Sequence, residues 1–384
     1  MGAAGEGAHA SLAPRPVPLL TPGLPGIGGV LRVSEADFRV EELPLYPASG
    51  EGDHLFATVE KIGRTTQEVA RELGASLGVS EREMGSAGLK DKRAVAVQRF
   101  SLPLPRGAAG PRAGERAAEF TQRALEAAGP GWRVLTAERH GNKLRPGHLA
   151  GNRFRIVARG CVEDALPRAR AVLSRLRETG AANLFGPQRF GRRGDNAQLG
   201  AALLARDPAA RQAARDRFLR RLALSALQAE LFNRCLAARL RDGLFSRAIA
   251  GDVLRKRDSG GLFVGEDPAT ETLRVEAGEI DPAGPLPGHS IFAARGEALA
   301  REQAVLAEAG IDPRSFAAGG GEMEGARRPY RIAVEADVAD VEEDPAAAGG
   351  PAKALVFTFV LPPGSYAICI LREAMKATAA ELED

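Results

Sequence analysis

The stretch GSAGLKDKRAVAVQRFSLPLP, residues 85–105, decides how the rest of the chain is read. Gly85 and Gly88 mark a turn, because glycine enters backbone conformations that other residues avoid. From Ala94 to Leu102 the run of β-formers predicts a strand. Asp91 therefore stands on a glycine-supported turn at the mouth of a strand, between Lys90 and Lys92. Cationic neighbours favour the charged form of a carboxylate, and a charged aspartate so placed can act as base or nucleophile. The same Lys-Asp-Lys pattern also describes an ordinary solvated turn, so these residues alone leave the chemistry open.

Moving towards the N-terminus, HLFATVEKI at 54–62 alternates as a strand does. TTQEVARELGASL at 65–77 follows, with Val69, Leu73 and Leu77 on one helical face and Thr66 placed to cap it. Residues 28–40 mix β-formers with polar residues and read as strand. Towards the C-terminus a helix is expected over 115–128, strands over 132–140 and 152–158, and an amphipathic helix over 162–178. Strands and helices mix without a strict β-α-β rhythm, which predicts an α+β class with a mixed or antiparallel sheet. From about Pro208 the composition shifts to Ala, Arg and Leu and predicts helix through residue 240. SGGLFVGEDP and DPAGPLPGHS then read as turn-rich punctuation. Helix is expected again over 297–309, a linker at the GGGE run of 319–322, and strands over 331–343 and 354–362 before a last helix near Tyr366. Two ends of the chain thus build one core, 26–208 with 323–384, interrupted by an inserted domain over 209–322. Residues 1–25, rich in Gly, Ala and Pro, are expected to form a flexible tail.

A second dense segment lies at 183–191, Asn-Leu-Phe-Gly-Pro-Gln-Arg-Phe-Gly. Phe185 can stack on a base, Asn183 and Gln188 can read base edges, and Arg189 can pair with phosphate. A loop built on two buried phenylalanines is the alternative. Arginines gather nearby, at 189, 192 and 193 and then at 211, 215, 217, 220 and 221, and the net charge is +3. Such clusters suit a phosphate backbone, although a solvated helix face has the same composition.

Other chemistries find no support in the motifs. P-loop and HExxH patterns are absent, and the five histidines and three cysteines are dispersed without ligand spacing. No metal, no cofactor and no nucleotide are expected. No run of eighteen apolar residues suggests a membrane span, and no basic start with an apolar stretch suggests a secretory leader. Cysteines far apart and odd in number fit a reducing, cytoplasmic setting.

Residues 87–98, Ala-Gly-Leu-Lys-Asp-Lys-Arg-Ala-Val-Ala-Val-Gln, resemble the AGxKDxxAVxxQ signature of the TruD family of pseudouridine synthases, and residues 183–191 resemble its NxFGxQRFG. Asp37 to Glu42, Gly50 to Leu55, Lys143 to Arg145, Gly151 to Phe154 and Leu361 to Glu373 are similar to further family segments. The resemblance runs from about residue 28 to 376 and is loosest over the expected insertion. It implies a pseudouridine synthase fold, α+β with a mixed, largely antiparallel sheet and a cleft between two halves, plus an inserted TruD-specific α/β domain. It implies isomerisation of a tRNA uridine, position 13, to pseudouridine, with tRNA as partner. By the same resemblance Asp91 is the catalytic carboxylate, and Asn183 and Phe185 are site residues. Arg32 stands where the family often has lysine. With Lys90, Gln188 and Arg189 it completes the expected substrate-binding set, with Arg32 and Lys90 holding Asp91 charged. Two alternatives stay open: a catalytically silent tRNA-binding or RNA-chaperone protein, and a carboxylate hydrolase needing a second acid, for which Glu41 and Glu42 are the candidates.

Overall fold

Alternating burial along the strands, not propensity alone, sets the architecture. The structure is a computed structural model that describes residues 12–105, 113–340, 353–378 and 381–382; the first eleven residues of the expected tail lie outside this range. In chain order the elements are β1 (Gly28–Leu31), β2 (Phe38–Pro44), β3 (His54–Ile62), α1 (Thr66–Leu77), β4 (Gly85–Ser86), β5 (Val95–Pro103), α2 (Ala113–Leu125), β6 (Ala128–Gly129), β7 (Trp132–His140), β8 (Leu149–Cys161), α3 (Ala165–Thr179) and β9 (Ala181–Ala182). There follow α4 (Asn196–Leu204), α5 (Pro208–Ala213), α6 (Arg217–Arg241), β10 (Val253–Lys256), β11 (Leu262–Val264), α7 (Pro268–Glu276), β12 (Ile280–Leu286), α8 (Gly296–Glu308), β13 (Ala326–Pro329), β14 (Arg331–Ile332), β15 (Glu335–Asp340), β16 (Lys353–Leu361) and α9 (Ile368–Met375). Two compact units result. Among the described residues, one comprises those within 26–170 and 334–364, the other those within 12–25, 171–333 and 365–382.

The first unit is built on a ten-stranded sheet in the order β15-β16-β8-β2-β5-β3-β7-β6, with β1 on β8 and β4 on β5. Among the described residues of this sheet only β2 and β5 run parallel; the other pairings are antiparallel. Strand β3 shows the driving force. Leu55, Ala57 and Val59 point to one face, where they pack with Val69, Leu73 and Leu77 of α1, Phe120 of α2 and Trp132 of β7. Each leucine, valine or phenylalanine among them contributes roughly 1.5–3 kcal/mol on leaving water. Residues of β5 are buried on both faces, as expected of a central strand. Helix α1 is capped by Thr65, whose hydroxyl accepts from Glu68 N at 3.1 Å while the Glu68 carboxylate accepts from Thr65 N. The cap therefore lies one residue before the expected Thr66, whose hydroxyl is engaged elsewhere.

In the second unit α6 is capped by Asp216 and α4 packs closely along it. Gly200 permits that approach, since a Cβ there would stand 2.3 Å from the Ala223 carbonyl oxygen. Strands β11-β10-β12-β13 form a four-stranded sheet, and β9 pairs with β14. Three expectations are corrected here. The DPAGPLPGHS segment is largely strand β12, because its buried positions pair with β10 and β13 despite two prolines. The GGGE run forms short helical turns within 313–323, with Gly319 packed against Met323. Residues 12–25 are a fixed strap, not a flexible tail. Leu12 and Val17 are buried, and Leu20 N, Thr21 N and the Thr21 hydroxyl donate to the buried Glu373 carboxylate at 2.8–3.0 Å. Arg372 bonds the Val17 carbonyl. The two compact units divide near residues 25, 170, 333 and 364.

Candidate active site

In the first unit, the loop between β4 and β5 carries Asp91 with one third of its side chain exposed. Arg32, just past β1, donates from a single guanidinium nitrogen to Asp91 Oδ2 at 3.0 Å. The contact is end-on, not the two-pronged fork open to arginine. Arg32 holds a left-handed backbone with φ of 57°, a conformation costing on the order of 1–3 kcal/mol in a residue with a Cβ. Its guanidinium also lies 4.3 Å over the Phe38 ring. Strained backbone, stacking and ion pair together fix the cation facing the carboxylate. Beside the pair, Leu89 is 66% exposed and Val33 54%, so apolar side chains flank the charge on both chain segments.

The loop is held from beneath by groups the sequence reading did not single out. Lys61, on the core face of β3, is fully buried. Its ammonium donates to the carbonyls of Asp91 at 2.7 Å, Lys90 at 3.4 Å and Arg64 at 2.7 Å. The Lys90 amide donates to the Thr66 hydroxyl at 3.0 Å, which donates to buried Gln98 at 2.9 Å. The available signal was positional: Lys61 continues the Leu55, Ala57, Val59 face, where another apolar residue would be expected.

Lys90, expected to face substrate and hold Asp91 charged, instead pairs with Glu42 at 2.8 Å in the interior, both side chains at most 6% exposed. Glu41 pairs with Arg153 at 3.0 Å. Both candidates for a second acid are thus engaged with cations.

In the second unit, the 183–191 segment is more buried than its composition suggests. Asn183 is 2% exposed. Its side-chain oxygen accepts from Arg328 at 2.5 Å and Ser365 at 3.0 Å, and its amide donates to the Pro329 carbonyl at 3.0 Å. Phe185 is 7% exposed, edge-on to Phe232 with ring centroids 5.6 Å apart. Its backbone is clamped by Asn233, which accepts from Phe185 N at 2.9 Å and donates to its carbonyl at 3.0 Å. The Arg328 guanidinium lies 4.2 Å from the Phe185 ring centre, and burial pulls its pKa down to about 10. Arg189 reaches Ser225 and the Tyr366 hydroxyl, at 3.2 and 3.4 Å, while Gln188 is exposed. The structure therefore groups Arg32, Asp91 and Lys90 in one unit and Asn183, Phe185, Gln188 and Arg189 in the other. Arg328, Asn233, Ser365 and Tyr366 are the partners that sequence reasoning missed; they come from segments far away in the chain.

Among the described residues no group of three or more His, Cys, Asp or Glu is arranged to hold a metal ion, and no helix is long and apolar enough to cross a membrane.

Comparison with known proteins agrees with these motifs. The profile of the family described as tRNA pseudouridine synthase D (TruD) matches residues 17–216 and 211–374. The tRNA pseudouridine synthase D of Anaeromyxobacter sp. (strain Fw109-5) is 52% identical over 364 residues, 94% of this chain and 97% of that one. A protein of the same name from Thermus thermophilus is 42% identical over 368 residues, 95% of this chain and 94% of its own. A Methanosarcina mazei crystal structure assigned to TruD shares the fold, with a TM-score of 0.73 over 97% of this chain and 99% of that one at 22% identity. The expected fold, α+β with a mixed and mostly antiparallel sheet, is the one observed. On the extent of the profile match and of the identity, this chain belongs to the tRNA pseudouridine synthase D (TruD) family.

Proposed function

We propose that this protein is an isomerase that converts a uridine of tRNA, position 13 in the D-stem region, to pseudouridine, with Asp91 as the catalytic carboxylate. The observation that supports this best is the Arg32–Asp91 pair: a partly exposed carboxylate met by a cation on strained backbone and carried by a loop bonded from below. Strain retained at a charged pair is the usual mark of a working site.

The reaction breaks the N1–C1′ bond, turns the uracil and joins C5 to C1′. A proton leaves C5 and one is gained at N1, so atoms balance and no electrons enter or leave. Asp91 adds to the sugar or the base, or removes a sugar proton; Arg32 supplies the opposing charge. The target must leave its stack, and Phe185 offers the extruded base an aromatic ring once the Arg328 guanidinium yields its place. Asn183 accepts from Arg328 and Ser365 and so holds the guanidinium that covers that ring. Exposed Gln188 and half-buried Arg189 meet the RNA, and the arginine-rich segment at 209–322 acts as the inserted domain that helps select it. The cytoplasm is the setting this substrate implies.

Pseudouridine mapping on unmodified tRNA transcripts, with wild type beside Asp91→Asn and no added cofactor, tests the proposal. One converted uridine in the D-stem region, absent with the variant, is the expected result. Binding of tRNA by both proteins with conversion by neither would replace it with the binding-protein reading.

A further inference from the structure

We propose that Lys61 is a positioning residue for catalysis: its buried ammonium, bonded to the carbonyls of Lys90 and Asp91, fixes the backbone that presents the Asp91 carboxylate. The inference rests on Asp91 being the catalytic group.

A lysine has no packing reason to occupy this position. Its neighbours along the face, Leu55, Ala57 and Val59, belong to the apolar core shared with α1 and α2. A methionine would fill similar volume without the cost of bringing a charge out of water, which is several kcal/mol for a buried ion before compensation. The compensation seen here comes from main-chain oxygens. Two of the three lie on consecutive residues of the Asp91 loop, and the third, on Arg64, ties the loop to the β3–α1 connection. Thr66 takes the amide of Lys90 from the other side. Donor and acceptors of one peptide segment are thereby held at both ends, without any contact between Lys61 and the carboxylate oxygens of Asp91. A charge placed so serves backbone position, which a side chain at the reacting centre needs to within a fraction of an ångström.

The groups around Lys61 make this arrangement sensitive to pH. Burial pulls its pKa down to about 8; Asp91 and Glu68 oppose the fall and Lys90 adds to it. Glu68, on α1, is itself bonded to Thr65 and Lys92, and Glu72, also on α1, to Trp132 and Arg64. Loss of the ammonium proton above pH 8 weakens the bonds to the loop. Its effect on stability has the opposite sign. A lysine whose folded pKa lies below its unfolded value near 10.4 destabilises the fold while charged, and that cost is relieved as pH rises from about 8 towards 10.4. Falling activity and rising stability over one pH range separate a positioning role from loss of fold.

The test measures kcat, tRNA affinity and thermal midpoint from pH 6 to 10 for wild type, Lys61→Met, Lys61→Arg and Asp91→Asn. Bonds of a charged donor predict a loss of about ten- to a hundredfold in kcat for Lys61→Met at pH 7. Its tRNA affinity should stay within about twofold and its midpoint should be equal or higher, with partial recovery in Lys61→Arg. Wild-type kcat should fall above pH 8 at constant affinity, and Lys61→Met should lack that limb. Near-normal kcat in Lys61→Met with an inactive Asp91→Asn overturns the proposal and leaves Asp91 in place. Activity in Asp91→Asn overturns the reading of the site itself. If Lys61→Met does not fold, the wild-type profile decides: kcat that stays flat to pH 9.5 refutes the role.

Discussion

The Asp91 loop and the Asn183–Phe185 segment solve opposite problems. At the loop, a carboxylate is left one third exposed while the main chain that carries it is bonded to buried Lys61 and Thr66. In the other segment an aromatic ring is 7% exposed beneath an arginine, and its main chain is clamped by Asn233. A group that reacts must be reachable, so its rigidity has to come from the backbone below it. A flat apolar ring does better covered until a ligand of the same shape replaces the cover, because an uncovered ring exposes apolar surface to water. The comparison also sorts two neighbouring lysines. Lys61 serves the loop, whereas Lys90 closes an interior pair with Glu42.

The largest effect should follow from the exposed side. Asp91→Asn should lower turnover by roughly 10²–10⁴-fold, the range for loss of a positioned acid–base group, with the melting midpoint nearly unchanged; a variant that melts early would place Asp91 with the structural residues. Phe185→Ala should act mainly through the fold, losing about 3–5 kcal/mol by denaturant titration as buried aromatic truncations do. If it melts normally yet fails to convert tRNA, the ring is an open platform and the contrast between the segments dissolves. Lys90→Met leaves Glu42 buried without its cation and should cost about 3–5 kcal/mol, with much of that recovered in Lys90→Met/Glu42→Gln; catalytic loss without loss of stability would instead return Lys90 to the substrate. The smallest change belongs to Arg32→Lys, which keeps one donor for an end-on contact and should reduce kcat/KM by about tenfold or less, measured on the same transcripts.

Much of this was legible beforehand. Strand β3 was read to its exact ends because its alternation meets a buried face on one side, and Asp91 stood out because its glycines and lysines lie within a few residues of it. The less regular stretch after residue 240 was not read as a sheet, since β12 carries two prolines and owes its extended form to pairing with β10 and β13. The fixed strap at 12–25 was also missed. Its glycines and prolines signal flexibility locally, while its anchors, Arg372 and Glu373, lie some 350 residues away.

By itself, then, the sequence determined the class of fold, most element positions and the two motifs that mark the family, because periodicity, turn chemistry and motif spacing are properties of neighbouring residues. Only the tertiary structure decided which charges serve which group. It set Arg32 against Asp91, Lys61 beneath the loop, Lys90 against Glu42 and Arg328 over Phe185. Those choices depend on distances of a few ångströms between segments far apart in the chain, and an ionic or stacking interaction is worth something only at such distances.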